Sequence, residues 1–208
     1  MLSDRESRRA LIAAVAQAVI DHADELTALD QAIGDGDHGI NMKRGAEAVL
    51  ADLDSLAEKP LPEGLKGIGM ALVMKVGGAS GPLYGTFLMT LGKALPEEGG
   101  AEDLVAAFDA ALQAVMARGK SHPGQKTMLD VLAPALESLK ANPRGSAALS
   151  AAASAAAEAT IPMQAERGRA SFLGERSIGH MDPGARSSAL IIDTVCRTLE
   201  ASGEAVGT

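Results

Sequence analysis

The sequence predicts an all-α protein, an up-and-down antiparallel bundle of about eight helices, and three observations carry that prediction. Ala and Leu dominate a 208-residue chain with no Trp, one Tyr and three Phe, and alanine is the best helix former. Apolar residues recur at helical spacing almost throughout, and strand alternation is absent. The helical stretches are separated by connections, many of them short, that make antiparallel neighbours. The length suits one core, so a single domain is expected over residues 1–208.

The elements follow in order. The first helix is expected over about residues 4–30 and the second over about 38–56, after a glycine-rich break. The third covers about 65–76 and the fourth about 82–95, with a second glycine-rich break between them. The fifth covers about 102–118 and the sixth about 128–140, where Thr127 with Asp130 resembles a capping box. The seventh runs over about 146–166, and its Ala/Ser tract reads as a close-packed helix face rather than a linker. The last covers about 183–201, and Asp182-Pro183 places proline at the first helical position.

Charge and cysteine usage exclude several classes. A net charge of −8 without a basic stripe or stacking aromatics argues against direct nucleic-acid binding. Cys196 is the sole cysteine, so no intrachain disulfide forms and a reducing compartment fits. The apolar run at 10–20 carries Ala14 and Ala16 like a cleavage site. Asp4 and Glu6 nevertheless stand where a leader would be basic, and the run continues into an amphipathic helix. No stretch reaches the ~18 apolar residues of a membrane span, so a cytoplasmic chain without membrane contact is expected.

The connections fall into two classes that alternate along the chain. Those at 58–62, 96–100 and 141–145 are plain turn formers with solvated charges. Those at 30–37, 77–81, 119–127 and 167–182 are chemically loaded. In an up-and-down bundle alternate connections share one end, so all four loaded segments should meet in one pocket. Each also ends in a helix N-cap candidate: Asp37, Ser80, Thr127 and Asp182. Helix N-termini favour phosphate through unpaired N–H groups and the dipole.

The densest chemistry is Ile33-Gly34-Asp35-Gly36-Asp37-His38-Gly39-Ile40-Asn41, with Asp30 upstream. Three crowded carboxylates repel unless a cation sits between them, and oxygen ligands favour Mg²⁺ over Zn²⁺. An EF-hand register from Asp35 fails, with Ile40 at position six and Ala46 at position twelve. The alternative reading of the motif is a solvated turn with an Asp cap, for which its acidity is excessive. His38, beside the carboxylates and without cysteine partners, reads as a phosphate donor rather than a zinc ligand, and Asn41 lies on the same helical face. The glycine-rich stretch at 75–85 reads equally as a phosphate cradle, with Ala79 and Ser80 N–H groups as donors, or as close helix packing. The long loop at 168–184 carries arginines able to offset phosphate charge, and its interleaved Phe172, Leu173 and Ile178 argue for an ordered flap. Gly119-Lys120-Ser121 is not a P-loop, because a helix precedes it and Ala114 stands at the first glycine position. Gly67-Ile68-Gly69 lacks the third glycine of a dinucleotide fingerprint.

Taken in order, the motifs at 29–42, 76–86, Lys126-Thr127-Met128-Leu129-Asp130 and 168–184 resemble the nucleotide-binding L subunit of dihydroxyacetone kinase, over nearly the whole chain. The resemblance implies an eight-helix barrel with ADP or ATP at one end. It implies two Mg²⁺ ions on Asp30, Asp35 and Asp37. It implies a nucleotide site lined by His38, Gly39, Ile40, Asn41, Ala79, Ser80, Gly119, Met128, Arg169, Asp182, Pro183 and Gly184. It further implies that a separate K subunit holds the triose, and that a phosphohistidine M subunit of the phosphotransferase system recharges a resident ADP. Two rival functions are an ATP-dependent kinase subunit for another small keto sugar, such as a tetrose, and a nucleotide-state sensor for a transcription regulator. Gln125 departs from the family pattern, where relatives usually carry Asp, and altered loop hydrogen bonding is expected there rather than lost activity.

Overall fold

The structure, a computed structural model, describes residue 2 and residues 4–203. Among these every regular element is helical: α1 (Arg5–Asp21), α2 (Ala23–Ile33), α3 (His38–Ala51), α4 (Leu53–Glu58), α5 (Leu61–Lys75), α6 (Ser80–Ala94), α7 (Ala101–Gly119), α8 (Leu129–Ala141), α9 (Ser146–Ala159), a 3₁₀ segment (Arg169–Ser177) and α10 (Pro183–Ala201). Eight of them close a ring. α1 packs on α3, α3 on α5, and then each of α5 to α10 on the next, until α10 returns to α1. α2 and α4 extend α1 and α3, so the expected all-α barrel is present with two of its staves broken. None of the described helices is long and apolar enough to cross a membrane.

The breaks depart from the sequence expectation. The first helix was expected to be continuous to residue 30 and instead parts at His22, where the backbone N–H and ring Nδ1 both turn to the Ala18 carbonyl. The second parts at Asp52, whose backbone leaves helical geometry at φ −111°, ψ 17°. The third starts four residues early, with Pro62 inside its first turn, where a missing N–H costs nothing. The seventh ends at Ala159 rather than near residue 166. Pro162 follows within three residues, and Thr160 Oγ1 donates to the Ala157 carbonyl to close the last turn.

Side chains from all eight staves fill the lumen, including Val19, Val49, Leu72, Leu91, Leu112, Val115, Leu132, Leu136, Leu149 and Leu199, with Phe87 and Phe108 meeting edge to face at 5.0 Å. Each buried large aliphatic contributes on the order of 2 kcal/mol. The alanine tract does pack: Ala153 and Ala157 of α9 are buried four residues apart against Ala185 and Ala189 of α10. Within the ring lies an apolar cavity of about 210 Å³ that reaches from Leu56 and Leu61 at one end to Tyr84 and Met128 at the other.

Candidate functional site

The four loaded connections meet at one end of the ring and line a cleft of about 430 Å³. Asp30 sits in the last turn of α2, and Asp35 and Asp37 project from the turn that follows. Gly36 turns that loop with φ 74°, a left-handed conformation natural to glycine. One carboxylate oxygen from each of the three aspartates lies within 4.8 Å of the other two. Asp30 is buried and its Oδ2 accepts from the N–H groups of Asp37 (2.8 Å) and His38 (3.1 Å). The capping oxygen of α3 is therefore Asp30's; Asp37 occupies the cap position without a side-chain capping bond. The three carboxylates are a donor set of oxygens alone, with the His38 imidazole turned to hydroxyls, and it fits a hard divalent cation. Arg169 reaches Asp35 at 3.1 Å from across the cleft.

Helix N-termini border the cleft. α6 begins at Ser80 with Ala79 as its cap, one residue earlier than the Ser80 cap expected. α8 is capped by Met128. Met128 thus takes the cap position expected for Thr127, and only half of the expected capping box forms: Asp130 Oδ2 accepts from Thr127 N at 2.7 Å, while Thr127 Oγ1 accepts from Leu129 N at 3.2 Å rather than from Asp130 N. α10 starts as read from sequence, Asp182 Oδ2 accepting from Ala185 N at 2.7 Å with Pro183 in the first turn.

Of the residues singled out from sequence, Asp30, Asp35, Asp37, His38, Ala79, Ser80, Met128, Arg169, Asp182, Pro183 and Gly184 line the cleft. Gly39, Ile40, Asn41 and Gly119 lie outside its lining. Gly39 faces α2, where an added Cβ would stand 2.0 Å from the Ala23 carbonyl oxygen, so its smallness serves helix packing. Ile40 is exposed on the outer rim, and Asn41 is buried against Gly77 and Gly78. Gly119 ends α7 beside Leu83.

His38 is buried and both ring nitrogens are engaged, Nδ1 with Ser80 Oγ (3.0 Å) and Nε2 with Ser187 Oγ (2.9 Å). Ser187 Oγ also lies 2.9 Å from the Pro183 carbonyl, which accepts its proton. When the Ser187 proton goes to Pro183, His38 Nε2 is the donor to Ser187 and Nδ1 of the neutral ring accepts from Ser80. Burial holds the imidazole below its ordinary pKa, against the raising pull of Asp30 and Asp37. Tyr84 extends the network to Ser187 (2.8 Å) and Ser188 (2.9 Å), and burial pushes its phenol up to about 12. Asp182 is buried enough to push its carboxyl up to about 7.

Sequence reasoning missed Tyr84, Ser187, Thr160 and Lys126. Tyr84 and Lys126 stood inside motifs already singled out, whereas Ser187 and Thr160 carried no signal of their own. Thr160 Oγ1 accepts from Asp182 N at 3.1 Å and so ties the end of α9 to the start of α10. Lys126 donates to the carbonyls of Met163 (2.9 Å) and Ser177 (2.6 Å). At Gln125, the side-chain Oε1 accepts from His122 N at 3.0 Å and Nε2 donates to Glu166 at 3.3 Å. An aspartate there would offer Glu166 a like charge and no donor, so the local loop bonding is specific to glutamine.

Comparison with known proteins agrees with this geometry. The DAK2 domain model matches residues 32–197. The chain is 47% identical over 171 residues, 78% of its length and 81% of the relative's, to a protein of Escherichia coli (strain K12) named PEP-dependent dihydroxyacetone kinase, ADP-binding subunit DhaL. It is 36% identical over 222 residues, 98% of its length and 38% of the relative's, to the D-erythrulose kinase of Mycolicibacterium smegmatis. The crystal structure of the dihydroxyacetone kinase from C. freundii in complex with AMP-PNP and Mg²⁺ matches with a TM-score of 0.77 at 30% identity, covering 91% of this chain and 33% of that one. The motifs, the closed helical ring and these relatives converge on one assignment, and the chain belongs to the DAK2 domain family.

Proposed function

We propose that this chain is the nucleotide-binding subunit of a dihydroxyacetone kinase, which passes phosphate from an ADP/ATP–Mg site to the triose held on a separate K subunit. The observation that carries the reading is the three-aspartate cluster set among four helix N-termini in one cleft. Asp30, Asp35 and Asp37 would hold two Mg²⁺ ions, which when bound neutralise the charge that develops during phosphoryl transfer. The start of α6 at Ala79–Ser80 and the start of α10 offer backbone N–H groups to phosphate oxygens. Burial favours the neutral His38 ring, which engages the Ser80 and Ser187 hydroxyls and leaves the Ser80 N–H to face the cleft. Arg169 supplies an exposed positive charge that pairs with Asp35 and can turn to a phosphoryl group. The general base for the sugar hydroxyl is assigned to the partner that holds the sugar.

The 47% identity to a PEP-dependent subunit favours a phosphotransferase-system enzyme with resident ADP, recharged by a phosphohistidine M subunit. The match to a D-erythrulose kinase along 98% of the chain supports a second reading, an ATP-dependent kinase acting on a tetrose. Both readings make the chain a cytoplasmic partner of a sugar-binding subunit, and a role in signalling nucleotide state to a transcription regulator is compatible with either.

Asp35→Ala and Asp37→Ala test the site. Each should fold, because both side chains are solvent-exposed, and each should lose Mg-dependent ADP affinity by about 100-fold or more in calorimetric titration. Unchanged affinity in both would sink the metal assignment. Ligand released from denatured native protein separates the two donors, since stoichiometric ADP indicates the resident coenzyme and an exchangeable site indicates free ATP.

A further inference from the structure

Lys126 is the largest fully buried side chain among the described residues, at 1% exposure, and its backbone is left-handed with φ 61°. A lysine in that conformation is strained, and such strain persists where the surroundings require it. Here it turns the side chain inward, between the two limbs of the connection that joins α9 to α10. The ammonium donates to the Met163 carbonyl on the outgoing limb and to the Ser177 carbonyl on the returning limb. Two carbonyls that face each other offer no donor between them, and an ammonium on a flexible stem supplies several. Ser177 completes the junction, its hydroxyl accepting from Ala165 N and donating to the Gly174 carbonyl, and Gly179 N closes on the Ile161 carbonyl at 2.8 Å. The segment so gathered carries Arg167, Gly168, Arg169 and Ala170 over the cleft. Burial pulls the Lys126 ammonium below its ordinary pKa, and nearby Asp182 opposes that pull.

We propose that Lys126 is a positioning residue: it clamps the two limbs of the 160–182 connection and thereby holds Arg169 over the metal-phosphate cleft. The proposal rests on the reading of that cleft as a Mg-nucleotide site. Lys126 acts through the flap, without itself touching the transferred group.

The experiment uses the full chain with Lys126→Met and Lys126→Arg, each alone and in an Arg169→Ala background. Limited trypsin digestion of the native protein reads flap position directly, since Arg167, Arg169 and Arg176 are cleavage points within it. In Lys126→Met, cleavage in the flap should quicken about tenfold and Mg-ADP affinity should fall about tenfold. Lys126→Arg should recover part of both. In the Arg169→Ala background, Lys126→Met should cost less than about threefold further affinity, because the two act as one unit. Unchanged trypsin protection and affinity in Lys126→Met would overturn the proposal, and so would an undiminished effect without Arg169. If Lys126→Met does not fold, the native chain decides. An ¹⁵N signal for the Lys126 ammonium protected from solvent exchange, with couplings to the Met163 and Ser177 carbonyl carbons, supports the clamp, and its absence overturns it. Failure of the unmodified chain to bind Mg-ADP would remove the nucleotide reading, while trypsin protection would still judge the clamp.

Discussion

The two ends of the barrel handle charge in opposite ways. At the plain end Arg5 and Arg9 of α1 meet Asp54 and Glu58 of α4 in a lattice of ion pairs at 2.5 to 3.2 Å, its acids exposed and its arginines partly so. At the loaded end Asp30, His38, Lys126 and Asp182 are buried, and their partners are chiefly backbone groups and hydroxyls rather than opposite charges. Exposed pairs are cheap to make and contribute little. Buried charges are costly, and a chain retains them where they hold other groups in place. The difference teaches that ion-pair density marks the end of this molecule that tolerates change, and scarcity of ion pairs marks the end with a task.

Three substitutions break or sharpen that contrast. The largest effect is expected at Asp182. Its carboxyl titrates near 7 in the folded chain and near the ordinary carboxylate value of 3.8 when unfolded. Between those values the folded state holds a proton that the unfolded state has released, so stability falls as pH rises through this window, by on the order of 2–4 kcal/mol. Asp182→Asn keeps an acceptor for Ala185 N and removes the titration. Its denaturation midpoint should vary less between pH 4 and 8 than that of the native chain, and an unchanged profile would refute the assignment. Next is Gly39→Ala. The new methyl would stand 2.0 Å from the Ala23 carbonyl oxygen and 2.6 Å from Thr27 N, both backbone atoms, so α2 and α3 must part. A loss of about 1–3 kcal/mol is expected in urea titration, together with weaker Mg-nucleotide binding, because Asp30 rides on α2 and Asp37 precedes α3. The smallest effect belongs to the plain end. Arg9→Ala removes its contact with Asp54 and should move the thermal midpoint by no more than about 2 °C, with Mg-ADP affinity unchanged.

The ring was legible because helical periodicity and loop chemistry act locally. Asp182 and Pro183 announced the start of α10, and the alternation of plain with loaded connections placed all four loaded segments at one end. What escaped was set by tertiary contact. Neither His22 nor Asp52 is a glycine or proline, yet each breaks a helix, and at His22 the ring competes for a helix carbonyl. Pro162 was a readable stop for α9 that the alanine-rich pattern masked. Asp30 could be recognised as an acid in a cluster, but its capping of α3 depends on a fold-back that no spacing encodes. Ser187 becomes informative only once the start of α10 meets the first residue of α3.

That last juxtaposition bears on how the molecule acquires its site. Most contacts in the ring join neighbours in sequence, a topology that winds quickly from local pairs. The exception is the seam, where α10 returns to α1 and α2. His38 and Ser187 bond across that seam, 149 residues apart in the chain. A partly wound ring can own every helix and still lack the cleft, because the floor at His38 and the wall at Asp182–Gly184 arrive on opposite sides of the seam. Closure of the last stave and creation of the binding site are thus a single event, and a chain that holds its ligand has finished folding.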